Sequence, residues 1–333
     1  MRGLVLAGAL VAAMPAPASP ATLKPRTAAV FDKYVSLSEA RMDAEIRSGT
    51  PFIWAEGLPA SRLREVEARL RRGEVVVERL RTREGGRGID PPDGIIHHWV
   101  GVVFVPGVTA DAAVALMQDY DRHSRIFQPN VVDSRTLSRD GQRFRLFLRF
   151  YMKKVLAVTL NTESEAEFVR LGEGRAYSRI RSTRVAEVAD AGTSKEHEKP
   201  VGNDNGFMWR LNTYWRFLER DEGTYVQCES ITLSRDIPFG LGWIIRPFIT
   251  EVPKDSLTFT LGRTRRQLIQ DAGAAQESCA ERPFGVSGGS MGEWCPIRRY
   301  ERRIEISEQP SERPLTLPPT TPLSIEFTIR TQH

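Results

Sequence analysis

Through the middle of this chain, apolar and polar residues alternate with a period of two. Over 142–151, Phe144, Leu146, Leu148 and Phe150 fall on one side, and Arg143, Arg145 and Arg149 on the other. That is the pattern of a strand with one buried face and one face in water. Over 207–219 the same alternation sets Trp209, Leu211, Thr213, Trp215 and Phe217 against Met208, Arg210, Asn212, Tyr214 and Arg216. Comparable patterning predicts strands over 131–137, 155–168, 175–188 and 224–235, with Leu156, Val158 and Leu160 continuing the apolar face. An earlier strand over 95–105 ends at Pro106-Gly107.

A period of 3.6 takes over between and around these strands. Thr109 is a suitable N-cap for a helix whose Ala113, Leu116, Met117 and Tyr120 share one stripe. A short second helix carries His123, Ile126 and Phe127 and ends at Pro129. Pro253 suits the first turn of a last helix, which Leu257, Leu261 and Leu268 make amphipathic. Before the main set of strands, Phe31, Tyr34 and Leu37 mark one helix. Leu63, Val66 and Leu70 mark another, placed behind Ser61 and stopped by Gly73. Val75, Val76 and Val77 predict a strand within 74–83, and GGRGIDPPDG is a turn-rich break. The polar stretch 189–206 reads as a long loop.

The order is strand, helix pair, antiparallel strands, long helix, and DYDRHSRIF (Asp119 to Phe127) is followed by a Pro and a strand. In this the chain resembles the START-like or SRPBCC superfamily, which includes polyketide cyclases and lipid-transfer domains. The resemblance covers roughly Gly94 to Ile269. It implies an α+β helix-grip fold: a curved antiparallel sheet wrapped around a long C-terminal helix, with an internal cavity. It also implies a hydrophobic small molecule or lipid as ligand and, in some members, cyclase or hydrolase-like chemistry in the same cavity. The chain then divides into a signal peptide (1–21), a helical elaboration with one strand (22–93), a START-like ligand-binding domain (94–272) and a Pro/Gly-rich, largely disordered tail (273–333).

Strand alternation gives the expected cavity lining. Asp221-Glu222-Gly223 reads as a three-residue hairpin loop, which sets Trp215 opposite Glu229 and Leu211 opposite Leu233. Tyr225, Gln227, Glu229, Ile231 and Leu233 then join the apolar face. A two-residue loop would flip the strand and turn Cys228 inward instead. The candidate lining is Phe144, Leu146, Leu148, Phe150, Trp209, Leu211, Trp215, Glu229, Ile231 and His123, the last because the helix pair frames a cavity mouth in START-like folds. A carboxylate among Trp, Leu and Ile needs a cation or a hydrogen-bonding partner. Glu229 is therefore either a polar anchor for a ligand or half of a structural ion pair with an Arg. His97 and His98 are adjacent in one strand and point to opposite faces, so only one can reach the interior.

Charge and composition narrow the rest. The net charge is +5, but Arg alternates with Asp and Glu almost everywhere. A solvated mixed surface is expected, which allows transient contact with a membrane surface and argues against nucleic acid. Arg2, the apolar run from Leu4 to Met14 and the small residues from Pro15 to Ala21 form the layout of a secretory signal, cleaved after Ala18 or Ala21. That run is too short for the ~20 residues a membrane-spanning helix needs. Cys228 is expected to be a buried free thiol, whereas Cys279 and Cys295 could pair in an oxidising compartment.

Several motifs fail on context. Gly285-Val286-Ser287-Gly288-Gly289 has the spacing of a nucleophile elbow but lacks the strand before it and the helix after it. Five His without H-E-x-x-H or a Cys–His cluster give no metal site. No Gly-rich phosphate loop follows a strand, so no cofactor is expected. Three functions remain open: an exported (secreted or periplasmic) carrier of a hydrophobic molecule or lipid, a polyketide-cyclase-like enzyme using Glu229 and a His, or an envelope interaction module with its cavity packed shut.

Overall fold

The computed structural model describes residues 21–153, 157–236 and 242–280, and in the last segment the side chains of 252–275. The expected signal peptide up to residue 20, the Ser287 motif, Cys295 and the tail beyond residue 280 lie outside the described residues, as does the side chain of Cys279. Residues to Ala275 cluster as one compact unit.

The chain opens with β1 (Ala21–Thr22), then α1 (Pro25–Ser48) and α2 (Ala60–Arg71). Next come β2 (Val76–Arg79), the small hairpin β3 (Arg83–Glu84) and β4 (Arg87–Gly88), and β5 (Gly94–Pro106). The helix pair is α3 (Ala110–Gln118) and α4 (His123–Ile126). Thr109 caps α3 by accepting a hydrogen bond from Ala112 N–H at 3.2 Å. The long strands are β6 (Val131–Asp140), β7 (Arg143–Lys153), β8 (Ala157–Gly172) and β9 (Arg175–Ala189). Two short strands, β10 (His197–Glu198) and β11 (Asn203–Asp204), interrupt the long loop. β12 (Arg210–Arg220) and β13 (Gly223–Arg235) complete the sheet, and α5 (Gly242–Ala280) follows. Helix α5 passes through Pro253 instead of starting there, and it continues beyond the expected boundary at 272.

One antiparallel sheet runs β2-β5-β13-β12-β9-β8-β7-β6, with β10 added on β9. Its two faces are covered by different parts of the chain. On the inner face, α5 lies across the sheet and α3 and α4 close one end, forming a core of Val103, Val105, Met117, Phe144, Phe168, Trp215, Phe217, Leu257 and Leu261. Gly101 lets α5 approach this closely: a Cβ there would stand 2.5 Å from Leu261 Cδ1 and 3.1 Å from Leu257 Cγ. On the outer face, α1 lays Phe31, Tyr34, Val35 and Met42 over Tyr214, Ile231 and Leu233. Helix α2 lays Val66 and Leu70 over Val76, Val102, Phe104 and Tyr225. This cover explains why Tyr214, Arg216 and Asn212 are buried, although alternation placed them on a polar side.

The β12–β13 hairpin turns on two residues, not three. Asp221 and Glu222 both take left-handed φ, 59° and 61°, and Arg220 pairs with Gly223. Two left-handed central residues make the turn that follows the right-handed twist of the strands. The expected register is therefore overturned. Trp215 stands opposite Cys228, Tyr214 stands opposite Glu229, and Leu211 stands opposite Thr232. Cys228 turns inward, and Glu229 and Ile231 turn outward beneath α1.

Candidate functional site

The candidate lining divides into three groups. Glu229, Ile231 and Trp209 are on the outer face, which corrects their assignment to the cavity. For Glu229 and Ile231 the cause is the one-residue difference in hairpin length. Trp209 precedes β12, so strand alternation does not extend to it. It packs with Phe31 and Leu233, and its indole N–H donates to Asp204 Oδ1 at 3.1 Å.

Phe144, Leu146 and Trp215 form the second group. All three are on the inner face, and all are buried in the closed part of the core. His123 is buried beside them, with its ring centroid 4.9 Å from that of Tyr120 and 5.0 Å from that of Phe127. Its Nε2 donates to Leu116 O at 3.4 Å, and burial pulls its pKa down to about 4, so the ring is neutral. Leu148, Phe150 and Leu211 form the third group, on the inner face but only half-buried.

The inner face is thus sealed in one half and looser in the other. Two cross-strand rows define the looser half. The first runs Trp99–Ser230–Thr213–Ile180 and the second His97–Thr232–Leu211. Every residue in these rows except His97 is half-buried, and Trp99, Leu148, Phe150, Ile180 and Phe259 of α5 all pack, partly buried, against the closed core. The result is an apolar surface with a line of hydroxyls through it. Among the described residues, the hydroxyls of Thr213, Ser230 and Thr232 have no hydrogen-bond partner.

The strand-by-strand reading missed Trp99, Ser230 and Thr232, and left His97 as one of two histidines of which one faces inward. The available signal was the 95–105 strand, where Ile95, His97 and Trp99 alternate with Ile96 and His98. Without the order of strands across the sheet, that strand could not be aligned with Leu211.

Glu229 sits in a different kind of site. Thr82 N–H donates to Tyr34 Oη at 2.8 Å, and the Tyr34 hydroxyl hydrogen-bonds with His98 Nδ1, also at 2.8 Å. His98 Nε2–H is the donor to Glu229 Oε1 at 2.7 Å. Arg41 of α1 also pairs with Glu229, and Arg216 pairs with Glu45 of α1 at 2.7 Å. Burial pushes the Glu229 carboxyl up, but the His98 hydrogen bond and the charges of Arg41 and Arg216 outweigh burial and hold it below the usual carboxylate range. This network fixes α1 to the sheet. Of the two readings of Glu229, the geometry is that of the ion pair.

Farther along the outer face, the arginines of β7 and β9 flank the glutamates of β8 around a groove of about 410 Å³. Arg143 pairs with Glu167 at 3.2 Å and Arg181 with Glu39 at 2.7 Å. The groove floor is an alternating charge ladder, a cross-strand arrangement that supports the sheet. Among the described residues no helix is long and apolar enough to cross a membrane, and no group of His, Cys, Asp and Glu is placed to hold a metal ion.

An antiparallel sheet packed on a long C-terminal helix, with a helix pair between the first long strand and the meander, is a helix-grip arrangement. No family model matches the sequence, and no curated protein matches it. Among solved structures, the chain is similar to the STAR-related lipid transfer protein from Xanthomonas axonopodis. The match has 16% identity over 58% of this chain and 99% of that one, with a TM-score of 0.38. It is also similar to the Zhui aromatase/cyclase from Streptomyces sp. R1128, at 12% identity over 54% of this chain and 98% of that one, TM-score 0.39. Human STARD10 matches at 8% identity over 68% of this chain and 85% of that one, TM-score 0.38.

Proposed function

We propose that this protein is an exported binding protein that holds a hydrophobic small molecule or lipid against the looser half of the inner face. The observation that carries the proposal is the contrast between the two halves of that face. Where α5 meets Gly101 the packing is closed. Two strand positions away, Trp99, Ile180, Leu211, Leu148 and Phe150 remain half-buried inside the grip. A sealed core would bury such side chains fully, whereas ligand sites are concave, mostly apolar and carry a few polar groups. The START-like fold supports the same ligand class. Export is supported by the charged start, short apolar run and small-residue ending of the N-terminus. A carrier of this kind loads from a membrane surface by transient contact.

The test is native mass spectrometry of the full chain purified from its own host. A mass excess that is lost on organic extraction, and recovered as apolar material, is the expected result. A protein of bare chain mass that takes up nothing from vesicles of mixed host lipid would overturn the carrier reading.

A further inference from the structure

On the inner face, one buried polar group has a free acceptor. His97 is 4% exposed, and its Nε2 lies 3.0 Å from Ser234 Oγ. Ser234 Oγ donates to Arg235 O at 3.3 Å, so its lone pair receives the proton on His97 Nε2. Nδ1 is left as an acceptor, and it has no partner among the described residues. Burial, with the nearby Arg79 charge, pulls the His97 pKa down to about 4, so the ring is neutral at pH 7 and Nδ1 keeps its lone pair. The ring is enclosed but Nδ1 is not among the fully buried atoms that lack a partner, so it is an acceptor that a ligand or water can reach and satisfy.

His97 is also well placed. It pairs through Thr232 with Leu211, and Trp99 follows two residues along the same strand on the same face. Strands lie about 4.8 Å apart, so this group covers roughly 10 Å of the looser half. Two fully buried hydroxyls without a partner, Tyr120 Oη and Ser178 Oγ, belong to the closed half, where a ligand atom reaches them only by opening the core.

We propose that His97 is the specificity-determining residue of this face, its Nδ1 accepting a hydrogen bond from a hydroxyl on an uncharged, otherwise apolar molecule lying across Trp99 and Leu211. This rests on the binding function proposed above and adds the chemistry of the ligand's polar end. A ligand without a donor leaves Nδ1 unpaired, and a carboxylate sets its own lone pairs against it. Arg79, in register with Trp99 and exposed, is a competing attraction for an anionic head group beside this row.

The test uses three fluorescent probes with the same apolar body: 4-(1-pyrenyl)butanol, its methyl ether and 4-(1-pyrenyl)butanoate. They are titrated against the full chain and against His97→Leu and His97→Gln. The alcohol is expected to bind the unaltered protein about five-fold or more tightly than the ether, the range of one net hydrogen bond. His97→Leu is expected to abolish the difference while still binding the ether, and His97→Gln, whose amide can hydrogen-bond, to retain part of it. Equal binding of alcohol and ether by the unaltered protein overturns the role of His97 and leaves the binding function standing. Tighter binding of the butanoate overturns it in favour of Arg79. If no probe binds at all, the binding function falls and the role of His97 falls with it. Should His97→Leu fail to fold, the unaltered protein and His97→Gln still decide the question.

Discussion

His98 of β5 and Glu229 of β13 are joined by a 2.7 Å hydrogen bond beneath α1, both fully buried. The bond is one link in a chain from Thr82 through Tyr34 and His98 to Glu229, closed by Arg41. Every member lies on, or faces, the side of the sheet away from α5. Helix α1 is therefore held to the sheet by directional polar contacts as well as by its apolar stripe.

Replacing Glu229 by Gln should destabilise the protein by roughly 3 kcal/mol, because it leaves Arg41 and His98 facing a neutral amide in a buried setting. Binding of an apolar probe should not change. Chemical unfolding curves and a probe titration on the same variant check both halves. Weakened binding with stability intact would return Glu229 to the ligand site.

Acid should unfold the protein in two stages. His97 and His123 have folded pKa values of about 4 against an ordinary 6.5. Between those limits the unfolded chain binds more protons, so the stability these neutral rings allow is complete above pH ~6.5 and is lost as pH falls toward 4, at roughly 1.4 kcal/mol per unit for each ring. Glu229 is lowered, so its contribution is present above its unfolded value near 4.3 and is lost as pH falls further. Melting temperature measured from pH 8 to pH 4 should decline below about 6.5, and His123→Phe should make that decline shallower. A flat profile down to pH 4.5 would contradict the burial of both rings.

Gly101→Val should weaken the seat of α5, since the added atoms meet Leu257 and Leu261. Overpacking of this kind costs about 1–3 kcal/mol. Hydrogen exchange should increase in α5 while protection of α1 is kept. Uniform loss of protection across both helices would show that Gly101 does not act through the helix contact.

The mature N-terminus should be Ser19. Ala21 and Thr22 pair with Asp204 and Asn203, and Leu23 N–H donates to Gly202 O at 2.7 Å. Cleavage after Ala18 keeps this strand whole, whereas cleavage after Ala21 removes half of it. N-terminal sequencing of the protein purified from its own host decides between the two sites, and an intact Met1 on all material would refute export by cleavage.

The strands, the helix pair and the Thr109 cap were legible because one side of each element is apolar at a fixed period. The two sides of the β12–β13 hairpin were not, because side-chain facing depends on loop length. Asp221-Glu222-Gly223 is compatible with either two or three loop residues. Left-handed φ at Asp221 and Glu222, neither of them Gly or Asn, settles that choice, and sequence does not announce it. Arg216 and Tyr214 looked like solvent-facing residues because α1, which covers them, is distant in sequence. His97 could be narrowed to one of two histidines, but not placed beside Leu211, since that neighbourhood exists only once β5, β13 and β12 are aligned.

If the looser half of the inner face binds an apolar molecule, a charge placed there should weaken the binding. Leu211 is half-buried and sits between Thr232 and Ser182 Oγ, which accepts the Leu211 N–H at 3.0 Å. Leu211→Asp keeps the backbone contacts and introduces a carboxylate where the ligand's apolar body should lie. Titrating an apolar fluorescent probe against the unaltered protein and this variant, with melting curves on both, should show at least ten-fold weaker binding by the variant and only a small drop in melting temperature. Undiminished probe binding by Leu211→Asp would contradict the account.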